Sequence, residues 1–193
     1  MKNKTIERQR FNRDVYAVID QYVSLFPNEK ARLSRLLAQI TNASDLTDRK
    51  NYLGHVTASA LVIDTERNIL LVHHKTLQKW LLPGGHYEIP EKIADCPIRE
   101  AHEETGIENL QLDAWHAAHK SCPLDIDTHS IPENTKKGEL AHFHHDFCYL
   151  VRTSNKSIKM DPDEVCNVGW YPIEVARKMA PRPFLWEKAY TRI

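Results

Sequence analysis

The segment from Gly85 to Ile107 constrains this chain more than any other part of the sequence. A Pro-Gly-Gly loop signal introduces it, and Gly106 is a typical left-handed stop for the helix that the spacing predicts. On a wheel of about 100° per residue, Glu103 and Glu104 lie about 60° and 40° to either side of Glu100. Three carboxylates therefore share one face of the predicted helix. The residues on its other side can face a core: Ile98, Ala101 and Thr105.

Like charges this close on one helix repel each other and lower its stability. A hard divalent cation such as Mg²⁺ removes that repulsion, because it prefers oxygen ligands and commonly shares them with phosphate. The alternative is a solvated acidic face without a ligand, which is common on exposed helices. The carboxylates alone leave both interpretations open.

The complete spacing favours the metal site. Gly85 is followed after five residues by Glu91, after seven more by Arg99-Glu100, and then by Glu103-Glu104 and Gly106. This 23-residue pattern with seven fixed identities resembles the Nudix box, and the chain is similar to Nudix hydrolases, more weakly, from about residue 55 to residue 180. The resemblance implies an α/β/α sandwich in which the box forms a loop and a helix beside a mixed sheet.

The resemblance also implies roles for the box residues. Glu100 and Glu104 match the principal ligands of Mg²⁺ or Mn²⁺. Glu103 matches a further ligand or a carboxylate that orients water, and the carbonyl of Gly85 matches a backbone ligand. We therefore expect a metal site made of these four residues, with Glu103 also catalytic.

Arg99 and Glu91 match the pair that stiffens the loop against the helix, and we place Arg99 in the catalytic machinery. The sequence departs from the family pattern at two positions. Pro90 stands where members usually carry glycine, which alters the loop but removes no ligand. Pro97 falls in the predicted helix and is tolerated in a first turn if Asp95 is the N-cap, because first-turn amides have no partner within the helix.

The reaction implied is hydrolysis of the diphosphate bridge of a small-molecule nucleotide, either a nucleoside diphosphate derivative or a nucleoside triphosphate. Metals neutralise bridging oxygens and acidify an attacking water, and the protein supplies positioning and electrostatic stabilisation. Nudix enzymes often recruit a base from outside the box. We select Glu164, in the acidic loop before a predicted strand, with Glu139 as second choice. The alternative for Glu164 is an ordinary acidic turn.

A histidine-rich strand is predicted from Ala141 to Val151. Alternation places His142, His144 and Asp146 on one face, where they would contact substrate or hold a transition metal. Asp125, Asp127 and His129 show the same alternate spacing. The remaining alternative is a set of hydrogen-bonded polar residues in a half-buried sheet.

The first 50 residues are predicted to form a helical hairpin outside the Nudix domain, which we assign to residues 51–193. Its first apolar stripe ends at Pro27, and Asn28 is a candidate N-cap for the second helix. Neither helix buries enough surface alone, so we expect the hairpin to dock on the main body or to form a homodimer interface.

Further strands are predicted at 55–64, 69–72, 80–82, 110–116 and 168–171, with a last helix at 172–179. Strands and helices in mixed order indicate an α/β fold of the α+β type. The formal net charge of zero argues against a nucleic-acid partner. No apolar run approaches the roughly 18 residues of a membrane span. The four cysteines form no Cys-x-x-Cys pair, so we expect a cytoplasmic protein.

Two alternative functions remain open. A nucleotide-sensing regulator on the same fold would bind without turnover, although such proteins tend to lose box carboxylates. An isopentenyl diphosphate isomerase-like enzyme would need a cysteine and a glutamate that face each other across the pocket.

Overall fold

The computed structural model describes residues 2–135 and 138–193, which form one mixed sheet between helices. The helices are α1 (Lys2–Leu25), a 3₁₀ helix (Pro27–Leu33), α2 (Ser34–Thr41), α3 (Cys96–Thr105), α4 (Ala114–Ala118), α5 (Ile173–Met179) and α6 (Pro183–Tyr190). The strands are β1 (His55–Ile63), β2 (Asn68–His74), β3 (Lys79–Leu81), β4 (Gly84–His86), β5 (Gln111–Leu112), β6 (Asp125–Ile131), β7 (His142–Arg152) and β8 (Val165–Pro172). None of the helices in these two ranges has the length and apolar character that a bilayer crossing requires.

Strand β1 organises the sheet. It runs parallel to β7, in register from His55 opposite His144 to Ile63 opposite Arg152. The short strand β4 pairs antiparallel with the first half of β1, and β2 pairs with its last residue. Strands β5 and β6 add to β7, whereas β3 and β8 add to β2. The predicted mixed sheet is confirmed.

Alternate residues of β1 pack against helices on opposite faces. Ala60 shares a buried cluster with Ala101 of α3. Leu61, its neighbour, shares another cluster with Ala176 of α5 and Leu185 of α6. Because successive strand residues point to opposite faces, the sheet lies between two helical layers. The chain therefore has the expected α/β/α sandwich.

The N-terminal hairpin docks on its own chain. Helix α1 ends at Leu25, before Pro27, as the sequence predicts. The cap predicted at Asn28 is wrong: a 3₁₀ helix begins at Pro27, and α2 follows with Leu33 at its N-cap position. Proline has a helical φ and lacks the amide that a first turn leaves unbonded, so it starts this turn itself. The apolar residues of the hairpin share one buried cluster with the sheet face: Phe11, Val15, Ile19, Tyr22, Leu33, Leu36, Phe147 and Tyr149.

Two predicted elements differ from the structure. The strand predicted at 110–116 is only Gln111–Leu112, because the side chain of Asp113 accepts a hydrogen bond from the amide of Trp115 (2.8 Å) and begins α4. Helix α6 follows the helix that was predicted to be last. Strand β6 pairs along most of β7 and brings Asp127 opposite Asp146.

Candidate active site

Helix α3 carries the box carboxylates to the edge of β4. It begins at Cys96, with Pro97 in its first turn, and ends at Thr105, with Gly106 as the left-handed C-cap residue (φ 65°). Asp95 occupies the N-cap position, but its side chain makes no capping hydrogen bond. Ala101 is buried against the sheet and fixes the rotation of the helix.

Strand β4 and helix α3 are in direct contact at the carboxylates. The Oε2 atom of Glu104 accepts a hydrogen bond from the amide of Gly84 (3.0 Å). A Cβ atom at Gly85 would overlap the carboxylate of Glu100, so this close approach requires glycine. The backbone of β4 and the carboxylates therefore meet where the box pattern places a metal.

Arg99 connects the loop to the helix. Its guanidinium donates to both carboxylate oxygens of Glu91 (2.8 and 3.1 Å) and to the carbonyl of His86 (2.9 Å). The same side chain donates to Glu100 (2.9 Å) and Glu103 (3.0 Å). A planar guanidinium suits this multiple contact, because its donors have a fixed geometry. Glu91 and Arg99 thus occupy the arrangement that the sequence analysis expects of a loop-stabilising pair.

The electrostatics of the carboxylates favour a cation. Glu104 is 4% exposed, and burial raises its pKa to about 8. Burial also raises the pKa of Glu100 to about 7, although Arg99 opposes this shift. The neighbouring charges of Glu103 and Glu164 raise both pKa values further. Clustered carboxylate oxygens of this kind are the donor type that a hard divalent cation prefers.

The two candidate bases lie in different places. Glu164 immediately precedes β8, and its charge acts on both Glu100 and Glu104. Its loop is joined to α3 by a hydrogen bond from the amide of Asp161 to the carbonyl of Glu104 (3.1 Å). Glu139 lies between β6 and β7, where its backbone pairs with Asn134. The structure brings Glu164 to the box carboxylates, which favours it over Glu139.

The histidine-rich strand contributes two separate groups. Asp146 accepts hydrogen bonds from Thr57 (3.1 Å), Ser59 (2.6 Å) and Arg182 (2.7 Å). The histidines instead form a cluster, and we call it the histidine cluster: His55, His86, His142 and His144. The sequence analysis placed His142, His144 and Asp146 on one face, and the structure divides them between two sets of partners.

Arg182 also borders a cavity of about 200 Å³ beside the sheet. It donates to Asp125 (3.1 Å), and Arg32 approaches Asp127 (3.4 Å) across the cavity. Arg182, Arg32, His55 and His86 were not selected from the sequence. Each of them has partners that are distant in the sequence, which local spacing does not reveal.

Comparison with known protein families identifies the same family as the Nudix box. A model of the NUDIX domain matches residues 53–190. A probable DHNTP pyrophosphohydrolase of Lactococcus lactis subsp. cremoris (strain MG1363) is 29% identical over 150 residues, which are 77% of this chain and 84% of that protein. The m7GpppN-mRNA hydrolase NUDT17 of Homo sapiens is 29% identical over 147 residues, or 69% of this chain. The match covers 42% of the human protein, so the chain spans less than half of that relative.

Solved structures share the fold. A C. elegans Ap4A hydrolase superposes with a TM-score of 0.53 at 20% identity, covering 70% of this chain and 95% of that one. The E. coli dihydroneopterin triphosphate pyrophosphohydrolase superposes with a TM-score of 0.50 at 13% identity, covering 72% and 94%. At these identities the likeness concerns the fold, and it agrees with the expected fold class.

Proposed function

The chain belongs to the Nudix family and is a pyrophosphohydrolase, and from this premise we propose that it is Mg²⁺-dependent and cleaves the diphosphate bridge of a small nucleotide. One observation carries this proposal. Glu100 and Glu104 are held against the backbone of β4, and burial raises the pKa of each. An acidic cluster of this kind costs free energy unless a cation is bound.

In this proposal Glu100, Glu104, Glu103 and the carbonyl of Gly85 would hold the metal, with Mn²⁺ as a substitute for Mg²⁺. The bound ion would neutralise the diphosphate oxygens and acidify the attacking water. Glu164 would accept a proton from that water, because its charge is close enough to influence Glu100 and Glu104. Arg99 acts by positioning Glu100 and Glu103 through its hydrogen bonds.

The proposed substrate class is based on the substrates that appear in the names of the similar proteins. Their names specify DHNTP, Ap4A and m7GpppN-mRNA. The proposal for this chain is a small substrate with a heterocyclic base on a chain of phosphates, and not an mRNA. The formal net charge of zero supports the exclusion of mRNA, because RNA binding commonly needs a basic surface. His142, His144 and Asp146 remain proposed substrate contacts.

The test is hydrolysis of a panel that contains dihydroneopterin triphosphate, Ap4A, ADP-ribose and the nucleoside triphosphates. The products are separated by chromatography, because ADP-ribose and Ap4A split into two phosphorylated products without release of free phosphate or diphosphate. We expect turnover of at least one member with Mg²⁺ or Mn²⁺, and none after chelation. Tight binding without turnover across the panel would support the regulator instead. The isomerase-like alternative has Cys166 as its one exposed thiol, since Cys96, Cys122 and Cys148 are buried and burial raises their pKa values.

The hairpin at residues 1–50 is proposed to cap the Nudix domain of residues 51–193. The apolar stripes that motivated a homodimer are covered within one chain, which supports the cap. Light scattering decides between the two, because a dimer would have twice the 22.4 kDa chain mass. A cytoplasmic location is also part of the proposal, and the four unpaired cysteines support a reducing compartment.

A further inference from the structure

The histidine cluster lies next to the box carboxylates but on the other side of β4. Gly85 faces Glu100, and successive strand residues alternate, so His86 points away from α3. There its ring lies 5.1 Å from that of His55 and 5.2 Å from that of His144, between centroids. One ring nitrogen from each of these three histidines lies within 4.8 Å of the others. Three strands, β1, β4 and β7, therefore each contribute one imidazole nitrogen to this group.

His55 provides a nitrogen that no described residue satisfies. The residue is 2% exposed, and its Nε2 atom is buried without a hydrogen-bond partner among the described residues. Its other nitrogen, Nδ1, faces the carbonyl of Asn51 at 3.4 Å. A proton on Nδ1 would donate to this carbonyl and leave a lone pair on Nε2. Buried polar atoms without partners are rare and costly, so a missing ligand is the simplest explanation for this one.

His142, which lies beside these three residues, is oriented in the same way by a backbone carbonyl. His142 donates from Nδ1 to the carbonyl of Leu140 (2.7 Å), and its Nε2 lies 3.2 Å from Nε2 of His144. An imidazole held by a backbone carbonyl through one nitrogen presents the other to a metal.

We propose that His55, His86 and His144 bind one divalent transition metal of the Zn²⁺ class, at a site separate from the box carboxylates. Imidazole nitrogens suit Zn²⁺ and its neighbours in the first transition row, whereas Mg²⁺ requires oxygen. A tetrahedral site with metal–nitrogen bonds of about 2.0–2.1 Å holds its ligands about 3.4 Å apart. The three nitrogens lie within 4.8 Å of one another, so metal binding would draw them together, and Nε2 of His142 lies 3.2 Å from Nε2 of His144.

The proposed metal has a structural role that connects it to the active site. It would join β4 to the central strands β1 and β7 through side chains, in addition to the backbone ladder. The carbonyl of His86 also accepts a hydrogen bond from Arg99 (2.9 Å), the residue that holds Glu100 and Glu103. Metal at the histidine cluster would therefore fix the strand against which the carboxylates are built.

The test uses tag-free, full-length protein stripped of metal. Zn²⁺ and Co²⁺ binding are measured by calorimetry and by visible absorption of the Co²⁺ form, for wild type, His55→Gln, His144→Gln and Glu104→Gln. His119→Gln is the matched control, because this half-buried histidine is the C-cap residue of α4 and stacks on Trp115, away from the histidine cluster. We expect one ion per chain at this site, affinity reduced by at least about 100-fold in the two cluster variants, and no loss in Glu104→Gln or His119→Gln.

Loss of Zn²⁺ binding in Glu104→Gln with retention in His144→Gln would overturn the proposal, because the ion would then belong to the carboxylates. Absence of Zn²⁺ and Co²⁺ binding to wild type would overturn it as well. X-ray absorption of the Zn²⁺-loaded wild type does not depend on variants that fold. It should show imidazole nitrogens at about 2.0–2.1 Å, and a shell of oxygens alone would contradict the site. These readouts do not involve turnover, so they are independent of the proposed function.

Discussion

At the residue scale, Glu104 is the most constrained member of the box. It is 4% exposed, bonds to the amide of Gly84 and has a pKa raised to about 8 by burial. Glu104→Gln keeps an acceptor oxygen for that amide and removes the charge. We expect turnover to fall by at least about 100-fold, because a metal ligand is lost. In chelator, the variant should unfold at the same or a higher temperature than wild type, since a repulsive charge is gone.

Steady-state hydrolysis of the substrate that the panel identifies and thermal unfolding in EDTA measure these two effects. Glu108→Gln is the control, because Glu108 is exposed just beyond the end of α3. Turnover of Glu104→Gln close to that of Glu108→Gln would remove the carboxylate from the mechanism.

His116 provides a pH-dependent prediction that is independent of any metal. Its Nδ1 donates to the carbonyl of Cys122 (2.7 Å), and its Nε2 accepts from the amide of Leu150 (2.9 Å). Burial lowers its pKa below 6.5, so the unfolded chain binds this proton more readily than the folded protein. The free energy of unfolding should therefore fall as the pH drops below about 6.5.

Urea unfolding at about pH 7 and about pH 5 checks this sign. His116→Gln should be less stable than wild type by about 1–3 kcal/mol at neutral pH, because a buried hydrogen bond is lost. It should also lose less stability on acidification. An equal loss in both proteins would assign the pH dependence to the other buried histidines, such as His145, whose pKa burial lowers to about 4.

At the element scale, the sequence predicts α3 but not α4, and the difference lies in how clear the local signals are. Proline at a first turn and glycine at a C-cap are strong local signals, and both hold in α3. Asp113 is an equally local N-cap, but apolar residues on both sides of it resemble a strand. Elements of two to five residues depend on single hydrogen bonds, and periodicity cannot resolve them.

The close contact between β4 and α3 predicts that a side chain at Gly85 would disturb the carboxylates. Gly85→Ala places a methyl group on the carboxylate of Glu100. We expect the carboxylate to be displaced, with Mn²⁺ affinity and turnover each reduced by at least about 10-fold, because ligand geometry is lost. Calorimetry with Mn²⁺ and a turnover assay measure this, and the melting temperature of the metal-free protein reports any loss of fold. Wild-type affinity for Mn²⁺ would show that Glu100 is not a ligand.

At the scale of the whole molecule, the box could be predicted from the sequence, but the contacts between residues far apart in the sequence could not. Alternation predicts that His144 and Asp146 lie on one face of β7. Their actual partners depend on pairings of β1 with β7 and of β1 with β4, and on α6, which brings Arg182 to Asp146. These contacts join residues that are separated by tens of positions, so only the sheet topology determines them.

Lys188 shows how the same long-range packing holds the N-terminal hairpin. Its Nζ atom donates to Tyr22 (2.6 Å), to Glu29 (3.0 Å) and to Asp125 (2.8 Å), and it therefore joins the hairpin, β6 and α6 in one buried network. Lys188→Met removes the cation and leaves buried carboxylates with fewer partners, so we expect a loss of about 3 kcal/mol in the free energy of unfolding. Lys178→Met, at an exposed position on α5, should lower the free energy of unfolding much less.

Urea unfolding measures the stability of both variants. The kcat of folded Lys188→Met should stay at the wild-type value, because Lys188 contacts none of the box carboxylates in the described structure. Equal stability of the two variants would mean that the apolar cluster alone attaches the hairpin.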